Sequence, residues 1–391
     1  MMGRIRVGLD GRALGNISRL RGIGRYTARL VEALVRAGGD NDFVLLGYGE
    51  GPDPDLLDPE LMRGLEWREI PRTRARGISY LTLLGEYLNL ARAVRGAQVD
   101  IFHGIDHNVT PFLDSPSIVT VHDLIPLVLR GPYLGPTSWL CMQAHHRAAV
   151  KARAVVAVSR HTARDIERIW SIPVERIAII PEGVSDIYRP VENGETVSDT
   201  MAKYGIGSPY LLYLGGFDPR KNIHNMLLSF KRFSLRGGAE HQLVLCGETR
   251  AFDAYLQNEI EELGLKGSMV LTGFAQEEDL PALYTGAVGF LCLSLYEGFG
   301  LPLLEAMACG CPVLASRAAS IPEVVENAAI LVDPLSPTDI TEGLERLVYD
   351  GDARARLIES GLRRSTQFTW DRAAQRILML YHEVQEGGGR D

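Results

Sequence analysis

The sequence predicts an α/β protein built from two doubly wound parallel-sheet domains. Three observations predict it. Short apolar, strand-like runs recur along the chain, helical patterns separate them, and a polar, turn-rich stretch from Val191 to Asp199 divides them into two successive sets. Apolar runs of this length fit strands buried on both faces. Strands alternating with helices fit βαβ units and a parallel sheet.

The first set of expected strands comprises Ile5–Leu9, Phe43–Gly47, Ile101–His103, Ser117–Val121, Val155–Ser159 and Ile177–Ile180. Tyr188-Arg189-Pro190 closes it, and the polar stretch that follows carries turn residues without apolar periodicity. The second set comprises Tyr210–Leu214, Gln242–Cys246, Met269–Thr272, Gly289–Leu293, Pro312–Ala315 and Ala329–Val332. Trp370–Gln385 reads as one amphipathic helix. The expected domains are therefore 1–190 and 191–369, followed by a terminal helical segment, 370–391.

A chain of 391 residues exceeds one ordinary core, and 46% hydrophobic with 23% charged residues is a common globular balance. No apolar run reaches the roughly eighteen residues of a membrane-spanning helix. Met1–Asp10 reads as a first strand and not as a signal peptide. The five cysteines sit mostly in apolar patterns, a reduced, cytoplasmic usage. The net charge is −8 and no nucleic-acid partner is expected. Residues 1–190 nevertheless carry 24 Lys+Arg against 21 Asp+Glu, whereas the rest carry 17 against 28. Arg72, Arg74 and Arg76 precede the apolar stretch Ile78–Leu84. This basic bias suits a peripheral contact with the inner face of an anionic membrane.

Glu297-Gly298-Phe299-Gly300-Leu301-Pro302-Leu303-Leu304-Glu305-Ala306-Met307-Ala308-Cys309-Gly310-Cys311-Pro312-Val313 is the most informative segment. It places two carboxylates eight positions apart across a loop-to-helix junction. Gly298 and Gly300 keep the loop permissive, Pro302 suits a first helical turn, and Gly310 stops the helix. The N–H groups of that first turn can receive an anion. Carboxylates that bind hydroxyls beside a phosphate cradle fit a sugar nucleotide.

Further elements follow expected strands, at the carboxyl edge where open α/β sheets bind ligands. Tyr213-Leu214-Gly215-Gly216-Phe217-Asp218-Pro219-Arg220-Lys221-Asn222 sets two cations beside a helix entry, suited to the charge that grows on a leaving phosphate. Gly22-Ile23-Gly24-Arg25-Tyr26 lets a backbone approach phosphate ahead of an expected helix Tyr26–Arg36. As a dinucleotide fingerprint it is incomplete, since Thr27 stands at the third glycine position, which disfavours an oxidoreductase. Val121-His122-Asp123 and His103 with Asp106-His107 also close strands. Cys309-Gly310-Cys311 and His145-His146 lack a zinc-type ligand set.

These strings resemble the retaining glycosyltransferases of family 4, with the GT-B fold: two Rossmann-like doubly wound parallel-sheet domains with a cleft between them. The Glu297–Val313 string matches each fixed position of that family's signature, and the resemblance runs in order along nearly the whole chain. It implies transfer of a hexose from a nucleoside-diphosphate sugar to a hydroxyl of a glycan or lipid-linked acceptor. His122, Arg220, Lys221 and Glu297 are the implied catalytic residues. Gly22, Gly24, Gly216, Arg220, Lys221, Gly247, Gly273, Phe274, Glu297, Gly298, Phe299, Gly300, Leu301 and Glu305 would hold the donor. Glu305 would take the ribose and Glu297 the transferred sugar. His103, Asp106, His107 and Asp123 would line the acceptor side.

No cofactor is expected beyond the co-substrate, and no metal, because Asp53-Pro54-Asp55 lies in an early proline-rich loop. The Arg-Gly-Ile-Gly-Arg-Tyr-Thr loop with His-Asp-Leu-Ile-Pro is most similar to bacterial O-antigen and capsule mannosyltransferases, which implies GDP-mannose. UDP-glucose and UDP-N-acetylglucosamine are the alternative donors. A catalytically silent binding subunit is the alternative of another class.

Overall fold

The computed structural model describes residues 4–16, 19, 22–51, 56–73, 80–207, 209–248 and 253–387. The chain divides into two compact units, Met1–Gly183 with Thr369–Asp391, and Val184–Phe368.

The first unit is built on seven parallel strands: β1 (Arg6–Asp10), β2 (Asp42–Gly47), β3 (Glu66–Glu69), β4 (Ile101–Gly104), β5 (Ser117–Val121), β6 (Ala154–Ala157) and β7 (Ile177–Ile179). Their order is β3-β2-β1-β4-β5-β6-β7. The chain thus winds outward from β1 in one direction and then from β4 in the other, so the switch point lies between β1 and β4. The central strands are wholly buried, in line with their mostly apolar, uncharged runs. Helices Gly22–Ala37, Tyr80–Ala97, Pro136–Lys151 and Arg160–Trp170 connect them. Ser159 caps the last of these, accepting from Thr162 N–H at 3.0 Å, so it belongs to the helix start and not to the strand that ends at Ala157. Helix Trp370–Gly387 packs on Gly22–Ala37 within the same unit. The Trp370 ring meets Tyr26 edge-on at 5.3 Å.

The second unit holds six parallel strands: β8 (Tyr210–Leu214), β9 (Gln242–Cys246), β10 (Met269–Gly273), β11 (Gly289–Cys292), β12 (Val313–Ser316) and β13 (Ala329–Val332). The order β10-β9-β8-β11-β12-β13 puts its switch point between β8 and β11. Leu211 pairs with Gly289 and Leu212 with Phe290 there. Leu227, Phe230, Phe233, Leu245, Leu314 and Leu344 fill the core between sheet and helices.

Three expectations need correction. β3, Glu-Trp-Arg-Glu, is an edge strand that a search for apolar runs passes over. The first helix begins at Gly22, so Gly22 and Gly24 lie in its first turn instead of in a loop before Tyr26. The first unit ends at Gly183 and not at 190. Val184 N–H donates to the Phe368 carbonyl at 3.0 Å and the Tyr188 ring packs on Tyr284, which ties this segment to the second unit. The polar stretch itself contributes a helix, Gly194–Lys203.

Candidate functional site

In the second unit, glycines stitch the carboxyl ends of three strands together. Gly215 N–H donates to Cys246 O and Gly247 N–H to Gly273 O, each at 2.9 Å. Gly247 has φ +154°, and a Cβ there would stand 1.9 Å from the Gly215 carbonyl oxygen. Only glycine lets these two loops touch. Gly216 offers its carbonyl to the Tyr213 hydroxyl. A short 3-10 turn, Pro219–Lys221, follows. Asn222 then adopts a left-handed conformation, φ 59°. Its buried side chain donates from Nδ2 to Leu293 O at 3.1 Å and Pro334 O at 2.7 Å. That residue fixes the turn carrying Arg220 and Lys221 to the end of β11.

The next loop on that edge carries Glu297, and there the two motifs meet. Glu297 Oε1 accepts from Lys221 Nζ at 2.5 Å and from Ser294 Oγ at 2.7 Å. Oε2 accepts from Arg220 Nη1 at 2.8 Å. Arg220 also reaches Tyr296 O at 3.1 Å and Asp218 Oδ1 at 3.2 Å. All three principal side chains are largely buried. Burial alone would raise the Glu297 pKa, but Lys221 and Arg220 outweigh it and hold the group at about 2. The carboxylate is therefore ionised at neutral pH, and the cations are fixed in place before any ligand arrives.

Serine hydroxyls clamp the loop. Ser316 Oγ donates to Ser294 O at 2.5 Å, and Ser320 Oγ reaches the carbonyls of Glu297 at 2.8 Å and Phe299 at 3.0 Å. Gly300, φ +113°, turns the chain into helix Leu301–Ala308 with Pro302 in its first turn. Gly298 lies in the loop between. Phe299 is buried against Phe368, and Leu301 is also buried, so both act as packing anchors. Glu305 is 3% exposed, and its Oε2 accepts from the Tyr284 hydroxyl at 2.9 Å. Gly273 ends β10 with φ +67°, and Phe274 beyond it is half exposed.

In the first unit, His122 follows β5 and is 7% exposed. Its Nδ1 lies 3.2 Å from Glu182 Oε1 and its Nε2 3.0 Å from the Ile105 carbonyl. Burial lowers its pKa, yet the hydrogen bond to Glu182 and that carboxylate's charge raise it to about 8. Asp123 accepts from Ile125 N–H at 3.0 Å. Asp106 and His107 follow β4, with His107 Nδ1 3.0 Å from Asp106 Oδ1 in an ion-pair contact. Burial would raise the Asp106 pKa, but His107 outweighs it and brings the carboxyl down; Asp106 in turn raises His107 against its own burial.

His103 does not fit the acceptor side read for it. It is wholly buried in β4, and its nitrogens meet Tyr381 OH at 2.7 Å and Thr120 Oγ1 at 2.8 Å. Burial lowers its pKa to about 3. It is a neutral core residue joining β4 to the terminal helix. Arg74, Arg76 and Ile78 of the basic-apolar stretch, and Asp53 and Asp55, lie outside the described residues. Arg72 donates to Gly15 O at 2.6 Å and stacks over Tyr48.

Sequence reasoning missed several contributors. Asp10 and Arg12 form a buried bidentate pair at the end of β1, with bonds of 2.7 and 2.9 Å, and Arg12 also donates to Asn108 O. Ser294, Ser316 and Ser320 carried no local signal of their own; Asn222 closes the Arg220-Lys221 string and Glu182 follows β7, but the sequence does not show the partners that either one holds.

Comparison with known proteins places this geometry. The family described as "Glycosyltransferase Family 4" matches residues 20–186, and "Glycosyl transferases group 1" matches residues 198–364. The chain is 30% identical over 385 residues to the O-antigen chain mannosyltransferase B of Escherichia coli, covering 93% of this chain and 96% of that one. Among solved structures it resembles a sucrose-phosphate synthase from Thermosynechococcus elongatus, with TM-score 0.79 and 20% identity, covering 98% and 100% of the two chains. It also resembles Anabaena HepE, solved in complex with UDP and glucose, with TM-score 0.77 and 16% identity over 97% and 100%.

Proposed function

The chain belongs to glycosyltransferase family 4, of the GT-B fold, and on that premise we propose that it transfers mannose from GDP-mannose, with retention at the anomeric carbon, to a hydroxyl of a glycan or lipid-linked acceptor. One observation carries the reading most. Arg220 and Lys221 stand at the switch point of the second sheet, oriented by Glu297 and ready to receive a diphosphate.

In this reading the bond from the anomeric carbon to the diphosphate oxygen breaks as the acceptor oxygen attacks from the same face. The acceptor's proton passes to the leaving diphosphate, whose charge Arg220 and Lys221 stabilise without a metal. Glu297 binds the sugar hydroxyls and Glu305 the ribose. Backbone groups of Gly273 and Phe274 border the base. The first unit contributes Asp106, His107 and Asp123 for the acceptor, and His122 is its catalytic residue.

The mannosyl donor is supported by the name of the E. coli relative at 30% identity. A uridine donor is the second reading, supported by the UDP complex of HepE. The basic first half supports a peripheral contact with anionic lipid, and no described helix is long and apolar enough to cross a membrane.

The test is transfer itself. Incubation with GDP-mannose and a mannose-terminated oligosaccharide should release GDP and give an α-linked product, seen by the one-bond C1–H1 coupling, and EDTA should leave the rate unchanged. Release of UDP from UDP-glucose alone would move the donor. Nucleotide binding without turnover on any donor would favour the silent binding subunit.

A further inference from the structure

We propose that Glu182 is a positioning residue that keeps His122 an imidazolium, a fixed cation whose two ring N–H groups are both committed within the first unit. Nε2 lies 3.0 Å from the Ile105 carbonyl oxygen, which can only accept, so Nε2 carries a proton. Nδ1 lies 3.2 Å from a carboxylate oxygen of Glu182. A neutral imidazole has one N–H and serves one acceptor; the doubly protonated ring serves both. The hydroxyl of Thr162 holds the backbone of the same residue, donating to His122 O at 3.1 Å.

The surroundings agree. Glu182, 6% exposed, comes from the segment after β7. Asp106, after β4, adds a second negative charge. His107 beside it opposes the ring's charge, whereas His103 in β4 is kept neutral by burial and by His122 itself. Tyr26, from helix Gly22–Ala37, meets the ring edge at 4.5 Å and 90°. Asp123 is the next residue in the chain. Glu182, with Asp106, outweighs burial, in line with the ring's upward shift.

Two consequences follow. His122 has no lone pair with which to act as a general base on the acceptor hydroxyl, so its contribution is charge. The ring also pins the Ile105 loop, which carries Asp106 and His107, to the ends of β5 and β7. The effect on transfer rests on the function proposed above; the charge state of the ring does not.

The experiment is a ring-nitrogen titration of the uniformly ¹⁵N-labelled full chain, with His122→Gln used to assign the signal. The wild type should show both nitrogens protonated at pH 7 and titrate near 8. Glu182→Gln should lower that titration by about one unit or more, a tenfold change in proton affinity, and Glu182→Asp should restore it. The upper pH limit of transfer should move in parallel. A neutral imidazole in the wild type at pH 7, or an unchanged titration in Glu182→Gln, would overturn the proposal. The wild-type spectrum decides the charge even where a variant fails to fold. Titrations as expected with no donor consumed would support the fixed cation and count against the proposed transfer.

Discussion

Lys221 donates to Glu297 across 2.5 Å, so the two strings that stand out most in the second half of the sequence form one ionic group. Arg220 completes it at 2.8 Å. The carboxylate orders two cations that would otherwise repel each other, and it does so in a largely buried place where an unpaired charge is costly.

Removing the carboxylate should therefore separate stability from nucleotide binding. Glu297→Ala leaves Arg220 and Lys221 with fewer partners and should cost about 2–4 kcal/mol of stability. A bound nucleoside diphosphate supplies the missing negative charge, so saturating GDP should raise the melting temperature of this variant more than that of the wild type. Sugar transfer should still be lost. Equal ligand-induced shifts in the two proteins would show that the cations do not receive the diphosphate.

The glycine stitch gives a sharper structural test. Gly247→Ala would drive a Cβ into the Gly215 carbonyl, so one of the two loops must move. The expected cost is about 2 kcal/mol or more, with nucleotide affinity falling alongside. A Cβ at Gly22 meets nothing within 4 Å. Gly22→Ala should therefore stay within roughly 0.5 kcal/mol of the wild type in urea unfolding.

Glu305 should behave differently from Glu297. It is nearly closed off and bonded to Tyr284. Tyr284→Phe removes that donor from a buried carboxylate and should cost about 1–3 kcal/mol. Glu305→Ala should weaken nucleoside diphosphate and intact donor alike, in calorimetric titration, because the ribose is common to both. A variant that loses only the intact donor would contradict the ribose assignment.

Stability should fall on the alkaline side through His122. Its folded pKa of about 8 stands above its ordinary 6.5. The stabilisation is therefore complete below pH 6.5 and is lost as pH rises through 8, at most about 2 kcal/mol. Urea unfolding at pH 6 and pH 9 should show this loss in the wild type and a smaller one in Glu182→Gln. An identical loss in both would assign it to other groups.

Much of the fold was legible because its strands are buried on both faces. Runs such as Tyr210–Leu214 and Ser117–Val121 are mostly apolar and contain no charged residue, and their ends point to the functional edge. β3 was not legible because an edge strand can carry Glu66, Arg68 and Glu69 without burying them. Gly22 and Gly24 read as a loop because glycine weakens helix propensity, yet tertiary packing of Tyr26 and Leu30 carries the helix back through them. The sequence names Arg220, Lys221 and Glu297 but not their pairing, which depends on β8 and β11 lying side by side. His103 resembled a site residue because it ends an apolar run; only its burial, and a partner as distant as Tyr381, identify it as core.

The measurement that tests the account most directly is calorimetric titration of the wild type, Arg220→Ala and Lys221→Ala with GDP and GDP-mannose. The account expects both ligands to bind the wild type and to weaken by about tenfold or more in each folded variant, since each loses a charge-assisted hydrogen bond of roughly 1.5–3 kcal/mol to the diphosphate. Wild-type affinity in both variants, or no nucleotide binding by the wild type at all, would contradict it.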